Sequence, residues 1–512
     1  MSRWFGTACR RFYHLSRFID WDRHQSFHIW MACLGLLFAS LHAIGHLTGT
    51  FLYGSRPAQQ DDVAAILGPD AVPRPYVRYV QSLPGWSGIV ALGLFWTIAL
   101  TSEPHVRKWS YELFQGGHLL MFPMIGLVCA HGTAKLLQFP MMGFWLAVPT
   151  LLVLGERLHR VYRGFVRLPS TLELLDKNTA MVTVRKPGGK PWSYSAGQYV
   201  FLQVPAISWL QWHPFTISHC ADDILQLHIK ADGDWTRALR ELPSDIEVGI
   251  DGPFGAPAQR FYEYDRSLII GAGVGVTPFS AIISDLEQNI FEEDGWERRS
   301  RRWSLRPSTR NSSVSTPARR SSRAQSKERT LSNDQQVIDF ANSSSVEQKP
   351  ANLFCAKRVD FHWMVREKND LLWFSDLLNR AHDMERSLPP GKLDLNIHTH
   401  ITLKRSNISE HIFRYLLDAY RTETCPVSAL TGLKMRSHFG RPDFESILEA
   451  YHEDVRKEYE AGHIPQGTNI AVFFCGAPVI GEVLSDLCHE LTLRGRGDGS
   501  ELRWDFRMEV FG

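Results

Sequence analysis

The sequence predicts a bundle of membrane helices, then a small antiparallel β-barrel, then an α/β domain on a parallel sheet. Three observations predict it. Long apolar runs are confined to the first 165 residues of the 512-residue chain. Short alternating runs divided by turn residues come next. Strand–turn–helix units then repeat towards the C-terminus. A chain this long exceeds one core and divides into about two or three domains.

The first apolar span runs from about Phe27 to Phe51 and the second from about Leu83 to Thr101. The third covers roughly Gly116 to Leu136, and a shorter fourth roughly Phe144 to Gly155. A bilayer core requires ~20 apolar residues per helix. Arg and Lys cluster before the first span, at Arg107 and Lys108 between the second and third, and at Arg157, Arg160, Arg163 and Arg167 after the fourth. The positive-inside rule then places both termini in the cytosol. Residues 1–26 carry Arg3, Arg10, Arg11, Arg17 and Arg23 without an apolar core and small-residue cleavage site, so no cleavable signal peptide is expected.

Imidazoles inside a bilayer need a reason. The first span carries His28, His42 and His46, the third His118 and His131, and the other two spans have none in their apolar parts. Haem iron takes an imidazole on each face, which requires two facing helices. His28 and His42 stand about 21 Å apart along a helix, and His118 and His131 about 20 Å. Two haems can therefore stack, with His28 opposite His118 and His42 opposite His131. Fourteen residues return to nearly the same helix face, but thirteen fall ~140° away. The third helix is thus expected to tilt, or to distort at Pro123. His46, one turn beyond His42, is a rival ligand or a neighbour of the ligand.

Beyond Arg167, Ala180–Arg185, Gln198–Val204 and Leu225–Ile229 read as barrel strands. The run Arg266–Ile270 leads into Gly271-Ala-Gly273-Val-Gly275-Val-Thr277-Pro278, with a helix expected from Phe279. Strand, Gly-rich turn and helix bring backbone N–H groups to a phosphate; a purely structural tight turn is the alternative. Strands at Val359–Val365, Leu393–Thr402 and Asn469–Phe474, with helices at Asp370–Arg380 and from Val479, extend a parallel sheet. Ligand groups then gather at the strands' carboxyl ends, where the Gly271 and Cys475 turns lie.

Residues 292–349 are rich in Ser, Arg, Asn and Gln and are expected to form a disordered insertion. Arg301-Arg-Trp-Ser304, Arg319-Arg-Ser-Ser322 and Arg323-Ala-Gln-Ser326 resemble basic-directed phosphorylation sites, or simply a solvated linker. Eight scattered Cys, with no Cys-x-x-Cys pair, indicate neither a zinc site nor a disulfide framework. A net charge of +2 gives no basis for nucleic-acid binding. The boundaries that result are a cytosolic segment 1–26, a membrane domain 27–165, a barrel 166–262 and an α/β domain 263–512.

Together these residues resemble the NADPH oxidases of the ferric reductase-like transmembrane superfamily over nearly the whole chain. The resemblance is carried by Ser26-Phe-His28, Leu41-His-Ala-Ile-Gly-His46, Gly117-His-Leu119 and Ala130-His-Gly132. It continues through Glu156-Arg-Leu158, Gly197-Gln-Tyr199, His213-Pro-Phe-Thr216, Gly233-Asp-Trp-Thr236, Asp251-Gly-Pro-Phe-Gly255, Gly271–Pro278, Gly440-Arg-Pro442 and Cys475-Gly476. It implies FAD on the barrel, NADPH on a sheet of ferredoxin-NADP reductase type, and two b-type haems.

In that reading His213, Pro214, Phe215 and Thr216 hold the flavin, and Lys230, Trp235 and Thr236 lie at its pyrophosphate. Gly271, Gly273, Gly275, Thr277 and Pro278 cradle NADPH, and Arg366 and Arg441 grip its 2′-phosphate. Cys475 and Gly476 sit beside the nicotinamide, and Phe511 stacks on the flavin. The family has six membrane helices, and those read here correspond to its last four, with all four iron ligands. Gly512 follows the terminal aromatic, and no EF-hand pattern supports direct calcium control.

The electron order implied is NADPH, FAD, the His28/His118 haem, the His42/His131 haem and molecular oxygen, giving superoxide. Membrane lipid and cytosolic or membrane regulatory subunits are the other expected partners. A ferric-chelate reductase and a truncated, non-catalytic regulatory subunit are the rival readings.

Overall fold

The computed structural model describes residues 2–10, 18–133, 141–289, 357–389, 391–403, 408–422 and 425–509. The insertion expected at 292–349 and Phe511 lie outside the described residues. The fold divides into two compact units, one centred on residues 1–259 with 277–282, the other on 260–276 and 283–510.

Among the described residues of the first unit, three helices are long and apolar enough to cross a membrane: Trp21–Gly54, Leu83–Thr101 and Tyr111–Gly132. The first is α-helical over His24–Ile44 and widens to a π turn at Gly45–Thr50. Such insertions recur at functional sites. The third is broken at Leu120 into Tyr111–Leu119 and Met121–Gly132. Pro123 has no N–H for the Leu119 carbonyl, and its ring crowds that carbonyl. Leu120 N instead donates to Gly117 O at 3.1 Å. The distortion expected at Pro123 therefore falls three residues earlier.

The fourth helix, Met142–Phe165, is apolar only in its first half and outruns the stretch 144–155 read from the sequence. Its charged half is held by protein. Buried Arg160 bridges Asp251 at 2.7 Å and Glu156 at 3.2 Å, and its guanidinium lies over Phe201 at 4.2 Å. Glu156 in turn accepts from Ser2 Oγ at 2.8 Å and Arg3 N at 2.6 Å, tying the N-terminal helix Arg3–Arg10 to it.

Six strands close a barrel in the order β1-β2-β5-β4-β3-β6. They are β1 Leu168–Leu174, β2 Thr179–Arg185, β3 Tyr199–Gln203, β4 His213–Ala221, β5 Ile224–Lys230 and β6 Asp245–Phe254. Alternate residues point inward, so Val182, Leu202, Ile217, Leu227 and Val248 are fully buried in one core.

The second unit is a six-stranded sheet ordered β10-β9-β8-β7-β11-β12. Its strands are β7 Arg266–Ala272, β8 Lys357–Val365, β9 Leu393–Ile401, β10 Ser437–Phe439, β11 Asn469–Cys475 and β12 Arg503–Glu509. Every pairing is parallel. Helices Phe444–Glu460 and Pro478–Gly497 cover one face, packing Leu448, Val455, Leu484 and Leu491 on Leu268, Ile270, Val472 and Phe474. The helix expected at Asp370–Arg380 is a 3-10 turn, Lys368–Trp373, followed by Ser375–Ser387. Edge strand β12 had no counterpart in the sequence reading.

Candidate functional site

The outer histidine pair is brought together. The rings of His42 and His131 are 6.0 Å apart between centroids, with planes crossed at 74°. Two metal–nitrogen bonds of ~2 Å, plus ~1 Å from each ring centre to its nitrogen, give ~6 Å for two imidazoles on one ion. His131 is also oriented: its Nδ1 lies 2.8 Å from the Pro84 carbonyl. A carbonyl there fixes the proton on Nδ1 and leaves Nε2 free for a metal. A glycine makes room for it, because a Cβ on Gly88 would stand 2.8 Å from His131 Nδ1 and Cε1. His46 meets His42 edge to face at 4.5 Å.

His28 lies in the first turns of His24–Ile44, and His118 is the penultimate residue of Tyr111–Leu119. His118 Nδ1 is 3.3 Å from Ser102 Oγ, and Ser102 donates its own proton to Ile98 O, so the hydroxyl is left to accept. Both third-span histidines thus take orienting partners from the second span, which contains no histidine: Pro84 in its first turn and Ser102 at its C-cap. These partners were missed in the sequence because neither residue type advertises metal chemistry. The available signal is Gly88 alone, whose missing side chain lets the His131 ring approach the second span.

On the barrel, His213, Pro214, Phe215 and Thr216 open β4, paired with Leu202, Phe201, Val200 and Tyr199 of β3. Trp235 lies 4.4 Å from the His213 ring and stacks on Phe215 at 5.9 Å. Buried His213 Nε2 and Trp235 Nε1 have no hydrogen-bond partner among the described residues. Orphaned buried polar atoms point to a bound group, and the half-open aromatic face fits a flavin. Burial holds His213 below its ordinary pKa, so the ring is neutral. Lys230 is exposed and pairs with Asp232 at 3.0 Å. Thr236 is occupied locally: its hydroxyl accepts from Asp232 N and Gly233 N and caps the helix Asp234–Leu239.

In the second unit the two glycine turns meet. Cys475 pairs with Gly271 across β11 and β7. A Cβ on Gly275 would stand 2.5 Å from the Cys475 carbonyl, and one on Gly476 would stand 2.7 Å from Ala272 Cβ. Gly273 has φ of +57°, a conformation glycine adopts without penalty, and Trp363 Nε1 donates to its carbonyl at 3.1 Å. A 3-10 turn, Gly273–Val276, leads into a helix that begins at Thr277 with Pro278 in its first turn, two residues before the start read from sequence. Burial, with Glu509 alongside, pushes the Cys475 thiol well above its ordinary pKa, so it stays protonated.

At the carboxyl ends of β8, β9 and β10, Arg366 and Arg441 line one cavity of about 580 Å³ with Thr402 and Leu403. Thr402 N bonds Val365 O at 2.8 Å and Leu403 N bonds Arg366 O at 3.1 Å, so backbone fixes the floor. Among the described residues no carboxylate pairs with either guanidinium. Two uncompensated forks suit a phosphate.

Tandem membrane helices, a closed barrel with an open aromatic face and a parallel sheet with glycine turns define a membrane flavoprotein reductase. Three family models match in the same order. A ferric reductase like transmembrane component covers 6–129, an FAD-binding domain 165–258 and a ferric reductase NAD binding domain 264–489. The chain thus carries the domains of a ferric reductase-like transmembrane flavoprotein in that order, and it is similar to NADPH oxidases over nearly its whole length.

Probable respiratory burst oxidase homolog protein I of Arabidopsis thaliana is 27% identical over 97% of this chain and 53% of its own length. Dual oxidase 2 of Rattus norvegicus is 25% identical over 94% of this chain and 28% of its own. A superoxide-generating NADPH oxidase heavy chain of Dictyostelium discoideum is 26% identical over 93% of this chain and 61% of its own. The chain spans about half the length, or less, of most of these curated relatives.

Proposed function

We propose that this protein is an NADPH oxidase that moves electrons from cytosolic NADPH across the membrane to molecular oxygen, producing superoxide. When bound, FAD and two b-type haems supply the conversion of a two-electron hydride donor into one-electron transfer. The observation that carries the reading is the His42–His131 pair, 6.0 Å apart with His131 oriented by Pro84.

In this reading His42 and His131 hold the outer iron, and His28 and His118 the inner one. The Pro84 carbonyl and Ser102 hydroxyl hold protons on Nδ1 and so present Nε2. These four imidazoles would hold the two groups, which when bound would supply one-electron transfer to oxygen. His213–Thr216 and Trp235 seat the flavin. Gly273 and Gly275 admit the dinucleotide to the backbone, and Arg366 and Arg441 select NADPH over NADH through the 2′-phosphate. Cys475, a neutral thiol, bounds the nicotinamide site and moves no proton. Both termini lie in the cytosol.

Electron paramagnetic resonance and optical spectra of the purified chain test the ligation. Two low-spin bis-imidazole signals are expected, with one lost in His131→Ala and the other in His118→Ala. A high-spin spectrum insensitive to both substitutions would overturn the assignment.

A further inference from the structure

The loop between β3 and β4, residues 204–212, carries two large apolar side chains into solvent: Trp209 is 62% exposed and Leu210 is 91% exposed. We propose that this loop is a membrane anchor, with Trp209 and Leu210 seated in the headgroup–acyl boundary of the bilayer that the helices cross. The inference goes beyond the oxidase reading and requires only that the chain is embedded in a membrane.

Four observations converge on the bilayer as occupant. Gln211 Nε2 donates to Glu112 Oε1 at 3.3 Å. Glu112 opens the span Tyr111–Gly132, whose 22 residues give ~33 Å of helix against a hydrocarbon core of ~30 Å. Glu112 therefore stands at the edge of the core, and the loop tip lies within a side chain's reach of it.

Second, the loop is braced rather than loose. Ile207 packs against the barrel core, Ser208 Oγ accepts from Gln211 N at 3.3 Å, and Gln203 donates to the Trp209 carbonyl. A fold that buries Ile207 and fixes Trp209 and Leu210 outward specifies that exposure.

Third, the same end of the molecule is ringed by exposed aromatics from the helices: Trp109 and Tyr111 before the third span, and Phe165 at the end of the fourth helix. The barrel end bearing the loop abuts that helix, since a Cβ on Gly164 would touch Gln203 Oε1 at 3.2 Å and Trp212 at 3.4 Å. Aromatic belts mark the membrane–water interface.

Fourth, the Arg167 guanidinium lies over the Trp209 ring at 4.5 Å, with Arg107, Lys108 and Arg163 nearby in sequence to the same helix ends. A cation beside an interfacial Trp suits anionic headgroups.

The test places the photoreactive residue p-benzoylphenylalanine at position 210 of the full chain, reconstituted in vesicles of phosphatidylcholine and phosphatidylserine. The control position is Leu174, 52% exposed but at the far end of β1, ~20 Å along the strand from the membrane helix. Illumination is expected to give a phospholipid adduct at 210 at least tenfold more abundant than at 174, identified by mass. Chain-to-chain crosslinking at 210 would assign the loop to a second copy and overturn the proposal, as would equal lipid labelling at both positions. Neither readout uses NADPH or haem, so this proposal and the oxidase reading fail separately.

Discussion

The substitution Gly88→Ala isolates the proposed outer iron site. An added Cβ would stand 2.8 Å from His131 Nδ1 and Cε1, while ordinary carbon contacts begin at ~3.5 Å. The ring must then retreat by ~0.7 Å, several times the ~0.2 Å tolerance of a metal–ligand distance. Retreat also strains the 2.8 Å bond to the Pro84 carbonyl that orients the ring. Neither the His28–His118 pair nor the flavin face is touched. The expected outcome is loss of one of two haems per chain, measured by the pyridine haemochrome method, with FAD content unchanged. Gly93→Ala on the same helix is the control, because a Cβ there meets nothing within 4 Å. A Gly88→Ala protein that retains two haems with unaltered low-spin spectra would refute the placement of His131 as a ligand.

Three further outcomes follow from the same geometry. Arg366→Ala or Arg441→Ala should raise KM for NADPH about 10- to 100-fold, from ~1.5–3 kcal/mol per charged hydrogen bond, with KM for NADH unchanged; equal effects on both nucleotides would remove the phosphate role. Arg160→Ala strands the buried Asp251 carboxylate and removes the counter-charge of Glu156, and should cost ~3–5 kcal/mol, read as earlier thermal release of flavin fluorescence; a melting curve like the parent's would contradict it. Burial holds His228 in the barrel and His400 in the sheet at about 4, below the ordinary 6.5. The folded state binds fewer protons than the unfolded chain between those values, so stability is full above pH 6.5 and declines as pH falls towards 4, by ~2 kcal/mol per group at pH 5. Chemical denaturation at pH 7 and pH 5 checks the sign, and His228→Gln should flatten the dependence.

The spans, the barrel strands β2, β3 and β5, and the glycine turns were legible because each is a local pattern. Apolar length, two-residue alternation and Gly-x-Gly after a strand all act within about 20 residues. The depths of His28, His42, His118 and His131 could be read because helix rise converts their spacing into depth. What stayed hidden depends on register between distant segments. Nothing local ties Ser102 to His118 or Pro84 to His131, and the Arg160–Asp251 pair joins residues 91 apart. The break at Leu120 was foreseen at Pro123 itself, but the missing hydrogen bond belongs to the carbonyl four residues earlier. The sheet also aligns His362, His398, His400 and His438 from three strands, with ring centroids 4.6–5.8 Å apart. No spacing in the sequence signals that row, because strand order sets it.

Electron transfer across the membrane is tested most directly in sealed vesicles. The purified chain, loaded with FAD and haem, is sealed into vesicles with its nucleotide face outward and cytochrome c trapped within. Adding NADPH outside should reduce the trapped cytochrome in a manner abolished by internal superoxide dismutase, with two superoxide formed per NADPH consumed. NADPH consumption without internal superoxide, or consumption that follows added ferric chelate rather than oxygen, would contradict it.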